Sequence, residues 1–116
     1  MANIGGKIYG TLQRQTVGGR NAIGEAEIAW ENAVVLRGWL GLQSGDSKYS
    51  NWRAKLEEST HVFLCDFHAP AYSLAAENTR MVIKGFVYDV LLIDNPDEMD
   101  EQLEIYLKRV GAWNGS

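Results

Sequence analysis

The sequence predicts an all-β fold made of short antiparallel strands. Glu25 to Glu31 alternates acidic and apolar residues, which is the pattern of a strand with one buried face and one solvated face. Arg80 to Lys84 and Phe86 to Asp94 are two strand-like segments joined at Lys84-Gly85, a hairpin signal. Most of the remaining chain is also divided into short strand-like segments, without an internal repeat or a linker. We therefore interpret the chain as a series of strands.

The N-terminal segments predict two strands joined by a turn. The first strand runs from Lys7 to Val17, with Ile8 and Leu12 on one face and mainly polar residues on the other. Gly18-Gly19 follows as a turn, because glycine tolerates positive φ. The apolar residues of the second strand, which we expect to share a half-buried face, are Ala26, Ile28 and Trp30.

Two more strands are predicted in the middle of the chain. Val34 to Leu42 is rich in β-branched and aromatic residues, and its glycines, Gly38 and Gly41, indicate a bulge or a bend. Thr60 to Phe67 alternates as a strand. His68 to Asn78 carries turn-forming residues and is predicted to be a loop.

The segment from Gln43 to Ser59 has a different character. It is polar, and Tyr49 and Trp52 are among residues that recur at roughly helical spacing. Ser47 or Ser50 could cap a helix there. We interpret the segment as a long internal connection that carries one short helix.

The C-terminal segment fits two structures. Leu103, Ile105 and Leu107 alternate with polar residues, as in a strand. The same region also has an apolar stripe at helical spacing, preceded at Asn95 to Glu98 by a cap, a proline and acidic residues that are typical of a helix start. The local pattern slightly favours the helix.

Composition sets limits on the class of protein. The chain has 116 residues, so a single domain spanning residues 1–116 is expected, and that length can bury a core without disulfides or metals. The net charge of −4 is unlike that of a dedicated nucleic-acid binder. The one cysteine, Cys65, excludes an intramolecular disulfide. With no signal peptide and no apolar run of membrane-spanning length, we expect the cytoplasm, or a particle assembled there.

No arrangement of residues predicts catalysis, a metal site or a cofactor. His61 and Cys65 would share a strand face but lie roughly 13 Å apart, too far for a nucleophile and its base. His61, His68 and Asp66 lack the spacing of a metal site. The acidic residues between Asp94 and Glu104 lack the glycine of a calcium loop, so a solvated face or a docking patch for a basic partner is the better interpretation. We expect a protein that is not an enzyme.

The order of these segments resembles that of the head-closure, or stopper, proteins of tailed bacteriophages. The segment from Asn78 to Pro96 resembles that family's C-terminal half: a strand, a glycine-centred hairpin, an aromatic-containing strand, an apolar run and Asp-x-Pro. Leu103 to Lys108 is similar to the final strand of the family. The upstream segments that resemble the first strand, and the strands that open and close the long loop, are Leu12 to Gln15, Trp39 to Gly45 and Thr60 to Phe63.

The resemblance implies a small antiparallel β-barrel, with a helical turn at Pro96 to Asp100 followed by a final strand. Family members form a homo-oligomeric ring, typically of twelve copies, below the portal and its adaptor. The ring closes the DNA channel after packaging and offers a surface for tail docking. It surrounds DNA without reading its sequence, and it is a virion component assembled in the bacterial host cytoplasm. The isolated subunit could be a monomer, since a heterologous ring closes only when its rotation matches a partner's symmetry.

The long loop, residues 43–59, is the element that projects into the channel in this family. Trp52 and Trp113 are the candidate interface residues, because they are expected to be exposed in a monomer, whereas Trp30 and Trp39 are expected in or near the core. The residues of this chain that the resemblance assigns to the channel loop are Asp46, Lys48, Tyr49, Trp52, Arg53 and Lys55.

Two other functions remain open. A neighbouring neck or tail-completion subunit, such as an adaptor or a tail terminator, would have a similar small all-β domain. A small barrel of the OB type that binds single strands would need stacking aromatic residues flanked by basic ones on one sheet face. Tyr9, Arg14 and Arg37 are expected to be too few and too scattered for that role.

Overall fold

Six antiparallel strands form one sheet in the computed structural model, which describes residues 4–20, 23, 24, 26–42 and 59–113. The all-β prediction is therefore confirmed. The only helical elements of the described residues are a four-residue helix, α1, and two short 3-10 helices, Ala76–Asn78 and Pro96–Glu98. The strands, in chain order, are β1 (Ile8–Arg20), β2 (Ala26–Leu42), β3 (His61–Asp66), β4 (Thr79–Ile83), β5 (Phe86–Asp94) and β6 (Gln102–Ala112), and α1 is Ala69–Tyr72.

The sheet closes on itself. Its strand order is β1-β2-β3-β6-β5-β4, and β4 pairs back onto β1 through residues 10–14 of β1. Side chains that alternate inward fill the space enclosed by the strands, and they are almost completely buried. The buried hydrophobic core consists of Leu12, Leu36, Phe63, Cys65, Ala71, Met81, Ile83, Tyr88, Val90, Leu103, Ile105 and Leu107.

The second and third predicted strands are one strand of the structure, β2. A bulge lies where the two were expected to be separate: Leu12 pairs with Val34 and Gln13 with Asn32, so Ala33 has no partner on β1. One extra residue reverses the faces of a strand. Upstream of the bulge, the even-numbered residues of β2 therefore lie on the outer surface, not on the face that continues into the core.

The expectation that Ile28 lies on a half-buried face is wrong for this reason. Ile28 is 65% exposed, whereas Leu36, which has the same parity but lies beyond the bulge, is 6% exposed. The expectation of a bulge or a bend at Gly38 and Gly41 is wrong for the bulge, since the pairing of β2 continues through both glycines without a register shift. Gly38 is buried against the backbone carbonyl of Leu64, where an added Cβ atom would clash.

The β4–β5 hairpin is confirmed at the predicted position. Lys84 and Gly85 have φ values of 49° and 82°, as a two-residue type I′ turn requires. In β5, Val90 pairs with Leu107 and Leu92 with Tyr106, which leaves Leu91 as a bulge. The continuous apolar run in β5 is thereby explained, because the bulge turns both Val90 and the odd-numbered residue Ile93 toward the core.

The two possibilities for the C-terminal segment are resolved in favour of the strand. Pro96–Glu98 is a 3-10 helix and β6 follows it, as the resemblance implied. Leu103, Ile105 and Leu107 are fully buried, so the alternating pattern was the informative one. The predicted loop at residues 68–78 differs, because it contains α1 with its buried Ala71 and a 3-10 helix. The helix predicted within residues 43–59 falls mainly on residues outside the described ranges.

Candidate interaction surfaces

The connection between β2 and β3 begins and ends on neighbouring residues of the sheet. Leu42, the last residue of β2, pairs with His61, the first of β3, although the chain between them spans residues 43–60. At its end, Thr60 is bonded to β6: its N–H donates to the Leu107 carbonyl at 2.7 Å, and its hydroxyl accepts from the Arg109 N–H at 2.8 Å and donates to the Leu107 carbonyl at 3.5 Å. The predicted loop residues Asp46, Lys48, Tyr49, Trp52, Arg53 and Lys55 lie outside the described residues.

Trp113 lies at this same end of the sheet, which we call the connection end. Its backbone N–H donates to the carbonyl of Gly85, in the β4–β5 turn, at 2.8 Å, and its side chain is 40% exposed. The Arg109 guanidinium lies 4.1 Å from the ring centroid of Phe86 and donates to the Tyr88 hydroxyl at 2.7 Å. The predicted interface residue Trp113 is therefore at the same end of the sheet as the exposed side chains of Phe86 and Arg109, while its predicted companion Trp52 is outside the described residues.

His61 and Cys65 are core residues rather than a catalytic pair. The His61 ring contacts Tyr88 edge to face at 5.2 Å between centroids, and Nδ1 lies 2.8 Å from the Thr60 hydroxyl. Burial, followed by the charge of Arg109, lowers the pKa of His61. Burial, followed by the charge of Asp66, raises the pKa of the Cys65 thiol to about 12. A thiol with that pKa stays protonated at neutral pH and is a poor nucleophile.

The distal halves of β1 and β2 form a two-stranded ribbon. Beyond Arg14, β1 pairs with β2 alone, so the last six residues of the strand extend about 20 Å past their pairing with β4. Val17 and Ile28 are directly opposite each other in this ribbon, and they are 73% and 65% exposed. Apolar pairs with such exposure are typical of contact surfaces.

The root of the ribbon is held by a polar cluster. Arg80 donates from Nε to Oε1 of Gln13 at 2.7 Å, and the Gln13 amide donates to Asn32 Oδ1 at 2.9 Å. The Arg80 guanidinium also lies 4.4 Å from the ring centroid of Trp30. Trp30 is thus half buried as expected, but under a cation on the outer surface and not in the core.

A second exposed surface lies on the outside of β1 and β2 near the connection end. Tyr9 and Arg37 are directly opposite each other, and Val35 and Trp39 follow on the same face of β2. Tyr9 and Val35 are each 62% exposed and Trp39 is 48% exposed, so Trp39, expected in the core or half buried, is half buried on the outer surface and not in the core. The sequence signal for this face was the alternation within Val34 to Leu42, in which Val34, Leu36 and Leu40 pack in or against the core, whereas Leu42 at the strand end is exposed. The expectation that Tyr9 and Arg37 are scattered is also wrong, because the two residues are cross-strand neighbours.

The acidic residues of β5, β6 and the intervening turn share the opposite outer surface. Asp94 and Glu104 are cross-strand partners, and Glu104 accepts hydrogen bonds from the Tyr106 hydroxyl at 2.8 Å and Gln102 Nε2 at 2.9 Å. Burial, followed by Glu104 and Asp97, raises the pKa of Asp94. The described residues contain no group of histidine, cysteine and acidic side chains arranged to hold a metal ion.

Neither the models of known protein families nor the curated proteins match the chain. Within the described ranges, the helices are too short to cross a membrane.

Proposed function

We propose that this chain is a structural subunit of a bacteriophage neck, a small β-barrel that forms a ring below the portal or its adaptor. The ring closes the DNA channel after packaging and presents a surface to the tail. In this role the chain carries out no chemical reaction and holds no cofactor. Its neighbours are the portal or adaptor ring, tail proteins and further copies of itself, in a virion assembled in the bacterial cytoplasm.

The observation that carries the proposal is the placement of the long connection. Leu42 and His61 are paired neighbours at one end of a closed sheet, yet the chain between them is far longer than the two to five residues of an ordinary hairpin loop. Loops of this length within a small domain usually have a function of their own. A channel-closing element would be attached in this way, at one end of a rigid support.

The predicted order of strands also supports the proposal. The strands that the phage resemblance required before and after the long connection are present as β2 and β3, and the final strand is present as β6. The buried Cys65 thiol, whose pKa is raised, and the buried His61 ring packed against Tyr88 are consistent with a protein without catalytic chemistry. An adaptor or tail terminator is the neighbouring alternative within the same assembly.

A binding module for single-stranded nucleic acid is the second candidate. The direct pairing of Tyr9 with Arg37, and the exposure of Trp39 beside them, favour it more than the sequence alone did. The net charge of −4 opposes it. Titration of the purified protein with a fluorescent oligonucleotide at low and high salt separates the two, because only the binding module gives strong, salt-sensitive binding.

The decisive experiment is electron microscopy of particles made after inactivation of this gene in its source genome. Head closure predicts full-size heads that have lost DNA, beside complete free tails. Complementation with the intact gene on a plasmid should restore filled, tailed particles. Tailed particles of normal appearance without the gene, or no phage-like particles even with the gene intact, would reject the neck function.

A further inference from the structure

The exposed outer face of β1 and β2 is built to contact another molecule. We call Tyr9, Val35, Arg37 and Trp39 the aromatic face. Three of its members are large apolar side chains that are about half exposed or more, and tyrosine, tryptophan and arginine are the residue types that dominate binding energy at interfaces. The indole N–H of Trp39 donates to the Ile4 carbonyl at 3.1 Å, which fixes the ring in place before any partner arrives.

The aromatic face has basic character. Arg37 is exposed, and its guanidinium forms no ion pair with a residue of the described part of the chain. Lys7, also exposed, directly precedes β1 and lies two residues before Tyr9 in the sequence. The nearby acidic side chain, Asp66, already accepts a hydrogen bond from the Ile4 N–H at 2.7 Å. A partner for this face should therefore offer acidic groups around an apolar centre.

The chain itself carries such a surface. We call Asp94, Asp97, Glu101 and Glu104, together with the apolar residues Met99 of the turn and Leu92 of β5, the acidic face. Asp94 and Glu104 are half buried and fixed by strand pairing, whereas Asp97 and Glu101 are exposed. Met99 is 60% exposed and supplies apolar area in the turn.

The two faces are on opposite sides of the closed sheet. In the order β1-β2-β3-β6-β5-β4, β1 is three positions from β6 in either direction, and β2 is three positions from β5. Two complementary surfaces on opposite sides of one subunit produce head-to-tail contacts, which close into a ring when the rotation permits. A symmetric pair of copies would instead place like charges together.

We propose that the aromatic face of one copy docks on the acidic face of the next. In this contact Arg37 is directed at the acidic residues, and Trp39 and Tyr9 pack against the apolar residues of the acidic face. This contact rests on the proposed ring function and names the surfaces that form the ring. The occupant is a second copy, because charge and apolar character match between the two faces and their opposite placement repeats the contact. Contact with single-stranded nucleic acid is the competing use of the aromatic face.

A charge exchange between the faces tests the contact. Arg37→Glu and Glu101→Lys each place like charges across the proposed interface. Each variant alone should lose the self-association of the wild-type protein, measured by sedimentation and by chemical-shift changes in a dilution series from micromolar to millimolar concentration. An equimolar mixture of the two variants should regain it, because each contact in an alternating array is then attractive. Lys84→Glu, an equal change of charge at the exposed β4–β5 turn, is the matched control and should associate like wild type.

Three results would overturn the contact. In the first, the NMR spectrum and the sedimentation of the wild-type protein do not change up to millimolar concentration. In the second, the equimolar mixture of the two variants fails to recover self-association. In the third, Arg37→Glu abolishes oligonucleotide binding and leaves self-association unchanged. Circular dichroism of each variant verifies that it is folded. Loss of the contact together with DNA-leaky heads in the gene-inactivation experiment would retain the neck function and reject these surfaces. Charge-dependent self-association together with normal tailed particles after gene inactivation would retain these surfaces and reject the neck function.

Discussion

Arg80 of β4 donates a hydrogen bond to the side-chain oxygen of Gln13 on β1, with 2.7 Å between Nε and Oε1. Gln13 is 6% exposed, although it lies on the outward side of β1, because this is where the Arg80 and Trp30 side chains gather. Its amide also donates to Asn32 of β2. One glutamine therefore links β4, β1 and β2 at the point where the ribbon leaves the closed sheet.

Replacement of Gln13 by leucine should destabilise the protein. The change keeps the side chain's bulk but removes the acceptor for Arg80 and the donor to Asn32, and each such hydrogen bond contributes about 0.5–1.5 kcal/mol to stability. The free energy of unfolding from urea titration measures the effect. Arg14→Ala is the control: its ion pair with Glu31 is half exposed on both sides, so its loss should cost about 1 kcal/mol or less. Equal effects from the two changes would mean that Gln13 has no special linking role.

Gly38 should not tolerate a methyl group. An added Cβ would overlap the Leu64 carbonyl oxygen of the neighbouring strand, and backbone on both sides leaves little room to move. We expect Gly38→Ala to cost several kcal/mol, or to prevent folding, as judged by circular dichroism and urea titration. Gly41→Ala, three residues later on the same strand, should be accepted, because its Cβ would lie 3.9 Å from the nearest atom, a Val62 methyl. A well-folded Gly38→Ala protein would show that β2 and β3 can separate.

The sequence predicted the strands better than it predicted their faces. Alternation identified β1 and β3, and Lys84-Gly85 located the hairpin, because those patterns follow from the two-residue period and from local turn geometry. For β6 the local pattern slightly favoured a helix, and the strand was expected from the resemblance. The bulge at Ala33 has no comparable local signal. Without it, Ile28 and Trp30 were assigned to the side that continues into the core, and the ribbon's exposed apolar face was missed.

Surfaces were the least predictable part of the molecule. Trp39 belongs to a strand rich in apolar residues, so hydrophobicity suggested the core, whereas its parity relative to Leu36 places it outside. The pairing of Tyr9 with Arg37 depends on the β1–β2 register, which the sequence does not specify. The predicted position of Trp113 as an exposed residue agrees with the structure, but its role as an interface residue is still a prediction.

The stability of the protein should depend on the Cys65 thiol at alkaline pH. The pKa of the thiol is about 12 in the folded protein against an ordinary value of 9.0, so in that pH window the folded state keeps a proton that the unfolded state loses. The free energy of unfolding must therefore fall as pH rises from 9.0 toward 12. Cys65→Ala removes this contribution but leaves the other ionisable groups. The stability advantage of the wild-type protein over the variant should shrink across the window, and a constant difference in urea titrations would contradict the assignment.

The exposed ribbon pair should matter for assembly and little for folding. Val17→Thr with Ile28→Thr keeps β-branched side chains and strand propensity but removes apolar surface. Because both residues are more than half exposed, we expect a change in unfolding free energy of about 1 kcal/mol or less. Leu12→Ala, at a fully buried position of the same strand, should cost about 2–5 kcal/mol. If the ribbon contacts a neck partner, the double variant should fold normally but fail to restore tailed particles in the gene-inactivated strain.

Deletion of residues 48–55 should separate folding from channel closure. The deleted segment lies between strands that are already paired at Leu42 and His61, and the Thr60 bonds to β6 lie outside it. A shorter connection also carries less loop-closure entropy, so we expect an unfolding free energy close to that of the wild-type protein. Circular dichroism and urea titration measure this, and particles complemented with the deleted gene should lose their DNA.

The control for this deletion is a replacement of the same length by glycine and serine, which keeps the reach of the connection but removes Tyr49, Trp52 and Arg53. If closure depends on those side chains, both variants should leak DNA. If closure depends on the length of the connection alone, only the deletion variant should leak DNA. A deleted protein that fails to fold would mean that residues 48–55 belong to the core of the domain, and their assignment as the channel loop would then be wrong. A folded deletion that retains DNA would instead reject the loop as the closing element.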